Sequence, residues 1–136
     1  FDDHDEDLDY YKGLLKNYTS KKLICTNPDL IVHRGNTEEL CAGSVAKTFE
    51  TLGGKVIYYG KPYREIYEMC FDTREKVLAI GDNLRTDIKG ANNLNIDSLF
   101  IYNGVHRNEI KNDEDLPALL KKYNVKTNFF QKELKW

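Results

Sequence analysis

No apolar run in this sequence approaches the ~20 residues that cross a bilayer, and no secretory leader opens it, so no membrane partner is expected and the chain reads as cytoplasmic. A basic excess is missing as well. Twenty Lys and Arg stand against 22 Asp and Glu, a net charge of −2 that offers nucleic acid no grip. Cysteine is sparse: Cys25, Cys41 and Cys70 are odd in number, far apart and without C-x-x-C spacing. That argues against a zinc site or a disulfide frame and for reduced thiols packed as small apolar groups. Internal repeats and low-complexity linkers are absent. The sequon Asn17-Tyr18-Thr19, with no leader before it, has no consequence.

What is present suffices for a core, since 136 residues make one ordinary domain able to bury about two thirds of its unfolded surface. The organising stretch is Lys76 to Ala91, KVLAIGDNLRTDIKGA. Val77-Leu78-Ala79-Ile80 is a short apolar run suited to a strand buried on both faces, and Gly81 ends it. Asp82 and Asp87 follow, with Thr86 and Asp87 at the start of an amphipathic segment carrying Ile88, Ala91 and Leu94. One carboxylate thus falls at the carboxyl end of a strand and the other in a first helical turn, the place where open α/β sheets bind ligands. Two acids with Asn83 between them suit a hard cation with oxygen ligands, such as Mg²⁺. A helix cap would explain a lone Gly-Asp-Asn turn equally well.

The longer string favours the site. G-D-x-x-x-x-D after a buried strand resembles the fourth motif of the haloacid dehalogenase-like (HAD) superfamily, mostly Mg²⁺-dependent phosphatases. Gly60-Lys61-Pro62, twenty-one residues before Gly81, is similar to the third motif of its class IIA branch. Thr26-Asn27-Pro28-Asp29 resembles a loop of that branch's cap domain. The resemblance spans nearly the whole chain and implies an α/β fold. Residues 1–59 would be the later half of an α/β cap domain, and residues 60–136 the C-terminal half of a Rossmann-like core of parallel strands with flanking helices.

By the same resemblance Lys61 is catalytic, Asp82 and Asp87 hold Mg²⁺, and Asn27, Asp29 and Asn83 meet substrate, a small phosphorylated metabolite. The superfamily's first two motifs, which supply an Asp nucleophile, an Asp acid/base and a phosphate-holding Ser or Thr, find no match. The D-x-D pairs Asp3/Asp5, Asp5/Asp7 and Asp7/Asp9 lack the buried strand that must precede a nucleophile. Phe1 in place of an initiator Met leads us to expect part of a longer product, whereas the last residues read as a genuine end. The expectation is a phosphatase fragment that needs its nucleophile-bearing N-terminal half; the alternative is a non-catalytic remnant or partner subunit. A receiver-like or nucleotide-binding domain is disfavoured by the Gly60-Lys61-Pro62 spacing, and a Walker loop by Lys55 and Pro62, where that loop needs Gly and Ser or Thr.

Along the chain, Phe1 to Asp9 is acidic and reads as a loop. Leu8, Tyr11, Leu14, Leu15 and Tyr18 recur at threes and fours, predicting a helix to about Tyr18. Leu23-Ile24-Cys25 and Lys55 to Tyr59 predict strands, His33-Arg34 a polar loop, and Thr37 the cap of a helix through Leu40, Val45, Phe49 and Leu52. Pro62 is expected to open a helix lined by Ile66, Met69 and Cys70. Ser98 to Tyr102 predicts a further buried strand and Leu116 to Leu120 a last helix, with Lys121 and Lys122 at its end. The tail, Phe129, Phe130, Leu134 and Trp136, is too aromatic for water and is expected to dock on the core.

Overall fold

The computed structural model describes residues 7–72 and 74–135, so the acidic pair Asp3/Asp5 and the last residue, Trp136, lie outside the described residues. Two compact units make up the chain, Phe1–Gly60 and Lys61–Trp136.

In the first unit, helix α1 (Leu8–Leu15) starts where the Asp7 carboxylate accepts the Asp9 N–H at 2.8 Å. Strand β1 (Lys22–Cys25) lies parallel to β4 (Lys55–Tyr58), with Leu23 opposite Val56 and Cys25 opposite Tyr58. Between them β2 (Ile31–Arg34) and β3 (Thr37–Leu40) pair antiparallel, and α2 (Ala42–Thr51) follows. This hairpin corrects two expectations, the loop at His33-Arg34 and the helix start at Thr37. Gly35-Asn36 forms a two-residue turn with Gly35 at φ 61°, the backbone twist that lets two strands fold back on each other. The Arg34 to Glu39 ion pair, 2.9 Å, spans the hairpin.

In the second unit α3 (Arg64–Glu68) precedes β5 (Leu78–Gly81), and a π-helical turn (Leu84–Ile88) runs straight into α4 (Lys89–Leu94). After them come β6 (Asp97–Ile101), α5 (Leu116–Tyr123) and β7 (Phe129–Gln131). The three strands form an all-parallel sheet in the order β5-β6-β7. Helix α3 is shorter than expected: Tyr63 is extended, so Pro62 stays outside the helix, and Met69 beyond its end is 84% exposed. Helix α5 follows the expectation, with acids 113–115 and the Asn112 capping box before it, Lys121 and Lys122 in its last turn, and left-handed Asn124 ending it.

Alternation along the strands separates two faces. Ser98 and Phe100 point to a core closed by Leu84, Ile88, Ile110, Leu116, Leu119 and Val125. On the other face Leu78 and Ile80 are 45% and 43% exposed, and Phe129, beside Leu99, is 56% exposed. The strand expected to be buried on both faces is therefore covered on one. Strand β5 has a single sheet neighbour among the described residues, and the described helices supply the core on the Phe100 side. The tail docks as expected through its backbone, as a third strand, but its Phe129 and Phe130 rings stay partly in water. Among the described residues, no helix is long and apolar enough to cross a membrane.

Candidate active site

Gly81 ends β5 because the space above it belongs to Asp87: a Cβ on Gly81 would stand 2.3 Å from the Asp87 Cβ, Cγ and Oδ2. With that space open, Asp87 folds back over the strand end. Its Oδ2 accepts the backbone N–H groups of Asp82 (3.1 Å) and Asn83 (3.0 Å), and its Oδ1 accepts Lys61 Nζ at 2.5 Å. Asp87 is buried, whereas the Lys61 side chain is about half exposed. The lysine's head is thus tethered on a side chain that still borders solvent.

The turn from Asp82 to Ile88 is built on one carbonyl. Asn83 O accepts from both Asp87 N–H (2.9 Å) and Ile88 N–H (3.2 Å), and the second bond makes the turn π-helical. Asn83 is buried, and its side-chain oxygen caps the turn by accepting the Arg85 N–H at 3.0 Å. Asp82 stands beside it, half-buried. Its Oδ2 accepts the Val105 N–H at 2.9 Å, and Gly104 allows this approach, since a Cβ there would meet that oxygen at 1.9 Å. Asp82 Oδ1 accepts no hydrogen bond among the described residues.

Two further residues border the turn. The Tyr67 hydroxyl is buried without a hydrogen-bond partner among the described residues and rests on Gly90, where a Cβ would stand 1.9 Å from it. Burial first, then the charges of Asp87 and Cys70, push its pKa up to about 12. His106, fully buried, accepts the Leu84 N–H on Nε2 (3.1 Å), and its Nδ1 lies 2.7 Å from Glu109 Oε1. Burial holds the imidazole below its ordinary pKa, against the pull of Glu109. Burial pushes Glu109 up, but hydrogen bonds from Lys122, His106 and Tyr123 outweigh it and hold that carboxyl at about 2. Sequence reasoning gives His106 and Glu109 no role and places Tyr67 only on the lining of the helix after Pro62. The spacing of His106 and Glu109, three apart, is the available signal.

The structure brings Lys61, Asp82, Asn83 and Asp87 together in the second unit. Asn27 and Asp29 lie in the first, where Asn27 Oδ1 accepts the Asp29 N–H at 3.2 Å and the Asp29 carbonyl accepts the Gly43 N–H at 3.1 Å. No group of three His, Cys, Asp or Glu poised for a metal occurs among the described residues. The donors still fit Mg²⁺, which takes one or two carboxylates and completes its shell with water and substrate oxygens. Asp82 Oδ1 offers the direct ligand. Asp87, with both oxygens engaged, fits the role of a carboxylate behind it.

Residues 58–126, just over half of the chain, match the sequence model of the HAD-hydrolase-like family. The chain belongs to that family. Among solved structures, a haloacid dehalogenase-like hydrolase from Brucella suis 1330 aligns with TM-score 0.76 and 31% identity over 96% of this chain and 51% of its own. A 4-nitrophenylphosphatase from Thermotoga maritima aligns with TM-score 0.63 and 26% identity over 93% and 46%. A glycerol phosphate phosphatase from Mycobacterium tuberculosis, solved in complex with calcium, aligns with TM-score 0.54 and 25% identity over 67% and 28%. No curated protein matches. The chain spans about half the length of the HAD-like structures it matches, and it shares their mixed α/β architecture of parallel strands and flanking helices.

Proposed function

We propose that this chain is the C-terminal portion of a Mg²⁺-dependent phosphate monoester hydrolase of HAD class IIA. It acts in the cytoplasm on a small phosphorylated metabolite, with residues 1–59 as part of the cap and 60–136 as half of the core. The observation that carries the proposal is the end of β5, where Asp82 keeps one carboxylate oxygen without a donor among the described residues and Asp87 tethers Lys61. Phosphoryl transfer is catalysed by positioning and by neutralising charge on the phosphoryl oxygens. Lys61 supplies a point charge for that purpose. When bound, Mg²⁺ would supply the rest of the charge neutralisation, held by Asp82 with Asp87 behind it. Asn83 beside Asp82, and Asn27 and Asp29 on the turn of the first unit, are assigned to substrate.

Covalent catalysis also needs an attacking carboxylate. None of the chain's motifs supplies one, so the partner is the N-terminal half. The open face carrying Leu78, Ile80 and Phe129, and the edge of β5 that has no partner strand among the described residues, support this: apolar sheet surface left in water favours association with another chain. The alternative, a non-catalytic remnant, is favoured by Asp87 having both oxygens engaged within the fold.

The test is complementation. Alone, the chain is expected to associate on size-exclusion chromatography and to leave an aryl phosphate intact. Mixed with a polypeptide carrying the family's first two motifs, such as the first half of the Brucella suis relative, it should hydrolyse that ester in a Mg²⁺-dependent way, and Asp82→Asn should abolish the activity. Hydrolysis by the isolated chain, or full activity of the Asp82→Asn mixture at saturating Mg²⁺, overturns the proposal.

A further inference from the structure

Four successive backbone N–H groups at the end of β5 point into the turn, and each ends on a side chain. Asp82 and Asn83 donate to Asp87 Oδ2, Leu84 donates to His106 Nε2, and Arg85 donates to Asn83 Oδ1. The first turn of a helix always presents such unpaired donors, and leaving one buried and unpaired costs more than the bond itself is worth. Leu84 is fully buried, so no water replaces its acceptor. That acceptor comes from a residue 22 positions away in a different loop.

An imidazole accepts on Nε2 only when its proton is on Nδ1. Glu109 is ionised and 2.7 Å from Nδ1, so it takes that proton's hydrogen bond and selects the tautomer. Glu109 is itself held from α5, by Lys122 Nζ at 2.5 Å and by the Tyr123 hydroxyl at 2.7 Å, and Arg85 Nη2 donates to that hydroxyl at 2.9 Å. The same loop anchors Asp82, whose Oδ2 accepts the N–H of Val105, the residue before His106.

We propose that His106 is a positioning residue for the Asp82–Asp87 turn: its Nε2 holds the Leu84 N–H, and Glu109 fixes the tautomer that makes this possible. Through Leu84 and Val105, the loop that carries His106 sets where the Asp82 carboxylate stands. The consequence for metal rests on the reading of Asp82 as a ligand. The positioning itself does not.

The experiment uses the full chain. In ¹⁵N spectra of the imidazole, Nδ1 should be protonated and Nε2 not, and the Leu84 amide should be strongly protected from exchange. His106→Phe keeps a ring and removes the acceptor; it should cost Leu84 about 10-fold or more in protection. His106→Gln places an oxygen near the Nε2 position and should restore most of it. Affinity for Mn²⁺, titrated as a probe of the divalent site, should fall about 10- to 100-fold in the Phe variant and recover in the Gln variant. If the Phe variant does not fold, Glu109→Gln leaves the ring in place and should still release the tautomer preference. A proton found on Nε2, unchanged Leu84 protection in His106→Phe, or Gln no better than Phe overturns the proposal. The imidazole and Leu84 readouts need no metal and decide the positioning role by themselves, so a chain that binds no Mn²⁺ overturns the metal reading alone.

Discussion

Each unit carries a polar turn at the carboxyl end of a parallel strand, one after Cys25 and one after Gly81, and the two differ in what chiefly holds them. The first is held by backbone against glycine. The Gly43 N–H reaches the Asp29 carbonyl, a Cβ on Gly43 would stand 2.3 Å from the Pro28 oxygen, and Gly60, at φ 102°, leaves only 2.9 Å between its Cβ position and the Thr26 oxygen. Asn27 is exposed on this turn. The second turn is held by side chains, with Asp87, His106 and Asn83 taking four backbone donors and Lys61 tethered to Asp87. An added methyl at Gly43 should therefore break the first turn, whereas the second should yield to a truncated side chain as well as to a methyl at Gly81 or Gly104.

Asp87→Ala is expected to have the largest effect. It strips the acceptor from two backbone N–H groups, one of them buried, and should lower the unfolding free energy by about 3 kcal/mol in a urea titration. Lys61→Met breaks the same ion pair from its half-exposed end and should cost less than about 1 kcal/mol, so a similar loss for both would show that the pair, rather than the backbone donors, matters. Next, Gly43→Ala should cost about 2 kcal/mol by the same measurement, because the obstructing atoms are backbone carbonyls that have nowhere to go.

The acid limb sharpens the comparison further. Glu109 has a folded-state pKa of about 2 against an ordinary 4.5, so the unfolded chain takes up its proton first. The stability it contributes is complete above pH ~4.5 and is lost as pH falls towards ~2. Glu109→Gln should flatten the pH dependence of unfolding across that window by about 1 kcal/mol, screened because the carboxylate is partly exposed. An unchanged slope would mean that Glu109 is not tied into the second turn. The smallest effect is reserved for Asn27→Ala, about 0.5 kcal/mol, since its bond to the Asp29 N–H is long and exposed.

Much of this molecule is legible in its sequence. Strands β1, β4, β5 and β6 and helix α5 fall where apolar periodicity and capping residues predict them, and Asp87 bonds both Lys61 and the Asp82 N–H at the end of β5. The β2-β3 hairpin is not legible, because Thr37-Glu38-Glu39 is also a good helix start and nothing local weighs it against the Gly35-Asn36 turn. The short α3 escapes for a similar reason: Pro62 in an X-Pro pair marks a turn as readily as a first helical turn. The five residues from Leu84 to Ile88 read as an ordinary helix start, since the two bonds to Asn83 O that widen them are formed only on folding.

By itself the sequence determined the order of the elements and the placement of acids just beyond an apolar run, because side-chain periodicity and turn chemistry act over a few residues. Only the tertiary structure decided which oxygen of which carboxylate is used. Asp87 is spent on Lys61, 26 residues away, and on two backbone donors, leaving Asp82 with an oxygen to offer. It also decided that His106, reaching across 22 residues, holds Leu84, and that one face of the sheet stays open around Leu78, Ile80 and Phe129. Those outcomes depend on which distant segments come to lie side by side and on which face of a strand the helices cover, so no local pattern encodes them.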